Sequence, residues 1–511
     1  MGIFMVKYRK NIQMKEAEMM MQCDVTVIGA AIIDVLTGPV DEKLWGESSL
    51  PMESMRLCFG GDALNEAVVL SRLGVNTELI SKVGNDDAGK RVLDFLRENN
   101  VHAKITVEEH LETGMNVVLI DAKGERRFLT NPASSLRKLA EEDVRGYLDT
   151  AGDIVCMASM FVSPLLDIPA MERLFKQIKR KPGRVLVADM TTAKNGETLQ
   201  DIRCLLPYID YIIPNEAEAE RLTGESAVFL SAAMFVECGA PCVIIKRGAK
   251  GCLIKTKEKE IQVPAYPGVT VKDTTGAGDS FVAGFVWGLR QGWSVEDCAG
   301  FGCAVASCTV EQVGANSAVT SLEEPMKRYL IYKLRSMLEK GNVILALDGG
   351  SASGKTTLAA WLQQQFEDCI VYHMDDFFLR PEQRTDKRLS EPGGNVDRER
   401  FLEEVLLPVS KGEAVTYRRF DCSTFALSEP VTAQPAKLTI IEGAYSMHPL
   451  LEKYYDYSVF LEVSATEQEK RIRKRNAPES AEKFFEKWIP LERKYFAECR
   501  VKERCNLVWK Q

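Results

Sequence analysis

The chain has little histidine, 4 residues in 511, and its 14 cysteines never fall into a paired CxxC spacing, so the usual ligands of a Cys/His metal site are missing. Cys298, Cys303 and Cys308 recur every five residues, a spacing that does not stack them on one helix face; core packing is their expected role. Long apolar runs are lacking too. No segment has the length and apolarity to span a membrane, and residues 1–22 carry basic residues without the continuous apolar stretch of a secretion signal, so they read as a frayed or helical N-terminal extension. Positive charge is short as well: 65 Lys and Arg against 73 Asp and Glu give a net charge of −8, which argues against a general nucleic-acid binder. Reduced thiols and a cytoplasmic location are expected, with no membrane and no nucleic-acid partner.

What the chain does have is length, and two glycine-rich runs of unrelated design. At 511 residues it exceeds the size at which one hydrophobic core keeps growing, so at least two domains are expected. From Asp24 to about Val319, short β-branched runs alternate with amphipathic windows, the pattern of an α/β domain with a largely parallel sheet. Strands are expected at 25–28, 154–157, 185–188, 211–213 and 243–246. Between Val101 and Leu129 the texture changes: 105–107, 115–120 and 127–129 read as antiparallel strands, with 121–125 as a turn, together a small sheet serving as a lid. The segment 321–341, with Leu330, Leu334 and Leu338 four apart, reads as a helical connector. A second α/β unit with a parallel sheet begins at Asn342, with strands expected at 343–347, 370–374, 438–441 and 458–461. The domains are thus expected at 23–320 and 342–511.

The first glycine-rich run is Asp273-Thr274-Thr275-Gly276-Ala277-Gly278-Asp279, followed by helix-compatible apolar residues. Phosphoryl transfer needs a hydroxyl activated and charge on the migrating group neutralised. Backbone N–H groups of Gly276, Ala277 and Gly278 at a helix start would face phosphate oxygens, and Asp279 would accept the hydroxyl proton. Alone, such a turn is as often a capped helix start. The remainder of the domain resembles the ribokinase-like, or PfkB, family of sugar and nucleoside kinases over roughly the first three hundred residues. The resemblance rests on Gly29 and Asp34, on Gly60-Gly61-Asp62-Ala63-Leu64-Asn65 with Ala67 and Arg72-Leu73-Gly74, on 83–89, on Asn215 and Glu218, and on 273–279. It implies an ATP- and Mg2+-dependent kinase with Asp279 as base, Asp34, Gly60, Gly61 and Asn65 on the substrate, and Asn215 and Glu218 organising magnesium and phosphates. It further implies Gly248, Gly251 and Gly314 in nucleotide-pocket loops and a lid that is often a homodimer contact. Relatives also bind a monovalent cation near Asp273 and Thr275; here 309–318 departs from the pattern completing that site, so K+ stays open. Asp62 beside the substrate disfavours an anionic acceptor unless a basic residue compensates, which points to a neutral sugar or nucleoside.

The second run, Gly349-Gly350-Ser351-Ala352-Ser353-Gly354-Lys355-Thr356, has the full P-loop spacing and follows an apolar strand. Backbone N–H groups of Gly349, Ser351, Ser353 and Gly354 would wrap a phosphate, Lys355 would reach the β/γ oxygens, and Thr356, next to Thr357, would bind magnesium. Asp375, in His373-Met374-Asp375-Asp376-Phe377-Phe378, is a candidate base, Glu442 a strand-end metal carboxylate, and Arg471, Arg473 and Arg475 either a lid or a solvated basic face. This region resembles the uridine kinase and phosphoribulokinase-like P-loop NTPase family over nearly all of 343–509. The resemblance implies Asp375 as base, Asp397 on ribose hydroxyls and Phe420-Asp421 at the nucleobase, although Phe420-Asp421-Cys422-Ser423 lacks the histidine expected there. The expectation is therefore a bifunctional kinase. Its alternatives are one catalytic domain beside a ligand-sensing one, or a second domain acting on another small alcohol.

Overall fold

A computed structural model describes residues 23–46, 48–121 and 126–510. The expected N-terminal extension and most of the expected turn at 121–125 lie outside the described residues. The chain divides into two units, 1–329 and 330–511, with the division inside the helix Glu323–Leu338 where a connector was expected.

The first unit is built on a nine-stranded sheet. Its strands in chain order are β1 (Val25–Ile28), β4 (Thr77–Gly84), β5 (His102–Glu108), β8 (Ile154–Met160), β9 (Val185–Met190), β10 (Tyr211–Ile212), β11 (Cys242–Lys246), β12 (Cys252–Thr256) and β13 (Glu260–Val263). They lie side by side in the order β13-β12-β11-β10-β9-β8-β1-β4-β5. From β11 to β5 every pairing is parallel, and β12 and β13 close one edge antiparallel. The central strands are buried on both faces, as in β4 and β8 at every position, because parallel crossovers cover both sides with helices; β8 is a near-continuous apolar run, whereas β4 buries Glu78 against Thr26 and Lys82 against Asp143. One such cover is the helix Ile168–Ile178, started by the Asp167 side chain accepting from Ala170 N and burying Met171, Leu174, Phe175 and Ile178. That three-and-four spacing puts them on one stripe against the sheet.

A second sheet of four strands contains β2 (Ile32–Val40), β3 (Ser54–Gly60), β6 (Met115–Asp121) and β7 (Arg126–Thr130), in the order β3-β2-β6-β7. The expected antiparallel pair at 115–120 and 127–129 is present as β6 and β7. The expected third strand is not: residues 105–107 belong to β5, which pairs parallel with β4 in the large sheet. β2 and β3 take its place, a pairing that local periodicity does not reveal. The cysteines Cys298, Cys303 and Cys308 are buried along the helix Val295–Thr309.

In the second unit, β14 (Val343–Gly349), β15 (Cys369–His373), β20 (Leu438–Glu442), β21 (Tyr457–Glu462) and β22 (Leu507–Lys510) form a parallel sheet ordered β15-β20-β14-β21-β22. Between β15 and β20 lie two short hairpin pairings, β16 (Val415–Tyr417) with β19 (Val431–Ala433) and β17 (Phe420–Asp421) with β18 (Ala426–Leu427). In each unit the parallel strands end on one edge, where chain loops and helix N-termini converge and ligands bind in such sheets.

Candidate active sites

In the first unit the run 273–279 turns into the helix Ala277–Arg290 through Gly276, which is left-handed at φ 71°. A Cβ there would stand 2.3 Å from Ala315 O, so glycine is required twice over. No side chain caps this helix; Ala277 N donates to Thr274 O at 3.3 Å, which leaves the N–H groups of Gly276 and Gly278 for an anion. Asp279 sits in the first turn, and Asn65 Nδ2 donates to its Oδ2 at 2.7 Å. Asn65 Oδ1 in turn accepts from Asn316 Nδ2 at 2.9 Å, which fixes the amide's orientation. Arg72 holds the carbonyl of Asn316. The structure thus sets Asn65, expected on the substrate, against the candidate base.

Below the turn, Lys246 at the end of β11 donates to both oxygens of Asp189, at 2.8 and 2.7 Å. Gly278 packs on this ammonium, since its Cβ would lie 3.2 Å from Lys246 Nζ. Burial works against the charge on Lys246, but Asp189 and Glu218 outweigh it and hold the proton. Asn215 and Glu218 form a reciprocal cap on the helix Glu216–Thr223, with Asn215 Oδ1 accepting from Glu218 N and Glu218 Oε2 from Asn215 N. Burial pushes Glu218 up to about 7 and Asp279 up to about 6, the latter against the pull of the Asn65 hydrogen bond. Asp62 and Glu66 are also driven upward by burial, and neither Glu66 oxygen has a hydrogen-bond partner. Carboxylates therefore outnumber cations at this edge. Among the described residues no group of three ligating side chains is arranged to hold a metal alone.

On the four-stranded sheet, Asp34 of β2 accepts from Asn116 Nδ2 at 2.9 Å and faces Gly60, whose Cβ would fall 2.1 Å from Asp34 Oδ2. Gly61 (φ 92°) brings the chain against Ala30 at the exit of β1. Arg126 of β7 forms an ion pair with Asp273, which also accepts from Thr275 N and Gly314 N, both at 2.8 Å. Gly248 lies just past β11 in a tight turn, at the same edge.

In the second unit, β14 leads through the loop to the helix Lys355–Gln365, with Gly354 left-handed at φ 92°. Lys355 Nζ donates to the carbonyls of Gly349 and Gly350, both at 2.9 Å. Thr356 Oγ1 lies 3.3 Å from each Glu442 oxygen, and Glu442 Oε1 is 2.5 Å from His373 Nδ1. Burial raises Asp375, with Lys355 pulling it down and Glu442 pushing it up, so these groups share one site. Ser351 is held from outside: its N and Oγ donate to Glu492 at 2.9 and 2.5 Å, and its carbonyl accepts from Gln468. Ser353 Oγ is buried without a partner. Thr357 points to solvent.

The remaining expected residues separate. Arg471 reaches the loop, donating to Ala352 O at 3.3 Å, whereas Arg473 pairs with Glu469 and Glu482 and Arg475 stacks over Phe484. Asp397, expected on ribose, has Oδ1 on Arg400 N and Oδ2 on Gln383 Nε2, at 3.2 and 2.8 Å. Asp421 closes its own turn on Ser423, while Arg384 lies over Phe420 and Phe425. Sequence reasoning missed Lys246, Asp189, Asn316 and Arg126 in the first unit, and His373, Glu492 and Arg384 in the second. Only Lys246 and Asp189 carried a usable signal, as polar residues at or near the ends of apolar strands.

Residues 22–322 match the pfkB family carbohydrate kinases. The ribokinase of Haemophilus influenzae is 31% identical over 314 residues, 60% of this chain and 98% of its own. The nucleoside kinase of Methanocaldococcus jannaschii is 26% identical over 309 residues, 60% of this chain and 96% of its own. Among solved structures, Arabidopsis thaliana ribokinase, complexed with ribose and ATP, is 25% identical with a TM-score of 0.52, covering 60% of this chain and 99% of that one.

Proposed function

We propose, from the premise that the chain belongs to the pfkB family of carbohydrate kinases across residues 22–322, that its first unit transfers the γ-phosphoryl group of ATP to a hydroxyl of a sugar or nucleoside. The observation that carries this is the Asn65–Asp279 hydrogen bond at an uncapped helix start. Asp279 takes the hydroxyl proton, Asn65 holds it in position, and the N–H groups of Gly276 and Gly278 with Lys246 below them take up charge on the phosphoryl oxygens. Asp34 binds acceptor hydroxyls. Kinases of this family use ATP and Mg2+; the excess of carboxylates, Glu218 and Asp279 among them, suits a magnesium ion arriving with the nucleotide phosphates, where it would screen their charge. K+ at Asp273 is the less supported element, since Arg126 already faces that carboxylate.

The second unit we read as a further phosphoryl-transfer site of uridine-kinase-like design. Supporting this are the strand, glycine loop and helix at 343–365, with Lys355, Thr356, Asp375 and Glu442 on one edge. Thr356 and Glu442 are the residues that would hold magnesium. The four-stranded lid sheet exposes Met55, Leu57, Met115, Phe128 and Leu129, an apolar set that supports its reading as a homodimer contact.

An ADP-release screen over sugars and nucleosides, run on wild type, Asp279→Asn and Lys355→Ala, tests both readings. Loss of sugar-dependent turnover in Asp279→Asn alone and of nucleoside-dependent turnover in Lys355→Ala alone is expected. Unchanged sugar turnover in Asp279→Asn would refute the base assignment.

A further inference from the structure

Beyond the groups assigned above, the first unit contains a cavity of about 210 Å³ at the C-terminal edge of β8 and β9. Its walls come from the segment after β8, the segment after β9, and Arg137 in the turn that follows the lid strands. Two cations line it. Arg137 Nε is buried with no hydrogen-bond partner, and neither Arg137 nor Lys194 has a carboxylate at ion-pairing distance among the described residues. The two carboxylates in the lining are engaged: Asp167 accepts from Ala170 N at 2.8 Å, and Glu197 from Asn195 N and Nδ2, both at 2.9 Å. The unanswered buried donor is therefore the Arg137 guanidinium, and Lys194, exposed at the cavity rim, adds a second positive charge to the same lining. Phe161, also in the wall, holds a positive φ of 72°, costly for a residue with a Cβ and of the kind that persists at functional sites.

The cavity adjoins the acceptor side. Ser159, one residue before the end of the same strand β8, donates to Asp62 at 3.4 Å. Burial, reinforced by Asp279 and Asp189, raises the Asp62 carboxyl above its ordinary range, which weakens its opposition to an anion. We infer that Arg137 and Lys194 form an anion subsite of the acceptor pocket, so that the phosphorylated molecule is a sugar carrying a carboxylate or phosphate at the end away from its reacting hydroxyl. This rests on the kinase reading of the first unit and goes beyond it in naming the acceptor's charge.

The test is steady-state kinetics with D-ribose and D-fructose as neutral acceptors, D-gluconate and 2-keto-D-gluconate as carboxylates, and D-fructose 6-phosphate as phosphate ester. Wild type, Arg137→Gln, Lys194→Gln, the double variant and Arg137→Lys are compared after melting curves confirm folding. An anionic acceptor is expected to have the lowest KM. That KM should rise roughly ten- to hundredfold in the double variant, with partial recovery in Arg137→Lys, and KM for a neutral acceptor should change less than about twofold. Which anion responds identifies the group as carboxylate or phosphate. Turnover of neutral sugars only, or equal KM changes for both classes, would overturn the inference. Should no sugar be turned over at all, the kinase reading fails, and calorimetric titration of D-gluconate and D-fructose 6-phosphate decides the subsite separately. Binding lost in the double variant upholds it, whereas absent or equal binding overturns it.

Discussion

Asn65 Nδ2 lies 2.7 Å from Asp279 Oδ2, joining a helix after β3 to a helix start 214 residues later. The hydrogen bond favours the ionised carboxylate, while burial pushes its pKa up to about 6. Sugar-dependent kcat should therefore rise with pH through a midpoint near 6, because the base must lose its proton to act. Asn65→Leu should move that limb to higher pH and lower kcat, read from pH–rate profiles. Asp279→Asn should cut kcat about 10³-fold.

The same carboxyl gives a stability signature. Its folded pKa lies above the ordinary 3.8, so between 3.8 and about 6 the folded state binds more protons than the unfolded one. This contribution is complete below 3.8 and is lost as pH rises through 6. Asp279→Asn should flatten the Tm profile over that window, and a profile identical to wild type would contradict it.

Arg126 and Asp273 tie the four-stranded sheet to the loop carrying Gly276, and the pair is largely buried, at 15% and 2% exposure. Removing one partner strands the other charge, a change typically worth about 3–5 kcal/mol when complete. Arg126→Gln should lower Tm by several degrees, raise KM for the acceptor, and speed hydrogen exchange at 115–121 and 126–130. Arg126→Gln and Asp273→Asn combined should fall short of additive.

Gly276→Ala places a Cβ 2.3 Å from Ala315 O at a φ of 71°. A cost of at least about 1–2 kcal/mol is expected from the left-handed conformation alone. ATP-dependent turnover of the first unit should fall with it, measured beside urea unfolding.

In the second unit, Lys355→Ala removes the ammonium that spans the Gly349 and Gly350 carbonyls. Nucleoside-dependent ADP release should fall at least about 10²-fold, and sugar-dependent release should be unaffected.

How far these sites could be read in advance depended on sequence distance. Gly276 to Asp279 and Gly349 to Thr356 are contiguous, and the need for positive φ beside a strand and a helix is written locally, so both loops were legible. The partners that orient them were not. Arg126 and Asp273 are 147 residues apart, and Ser351 and Glu492 are 141 apart; nothing in either neighbourhood marks the other.

The sequence alone determined the alternation of strands and helices, the two glycine turns, and the residue types able to accept or neutralise charge. These follow from periodicity and backbone sterics, which act over a few residues. Tertiary structure alone decided that 105–107 joins the large sheet, that Asn65 faces Asp279, and that Arg137 and Lys194 share a cavity without a counter-ion. Strand order and side-chain pairing are set by which buried surfaces and charges meet once the chain has closed on itself, and that competition is global.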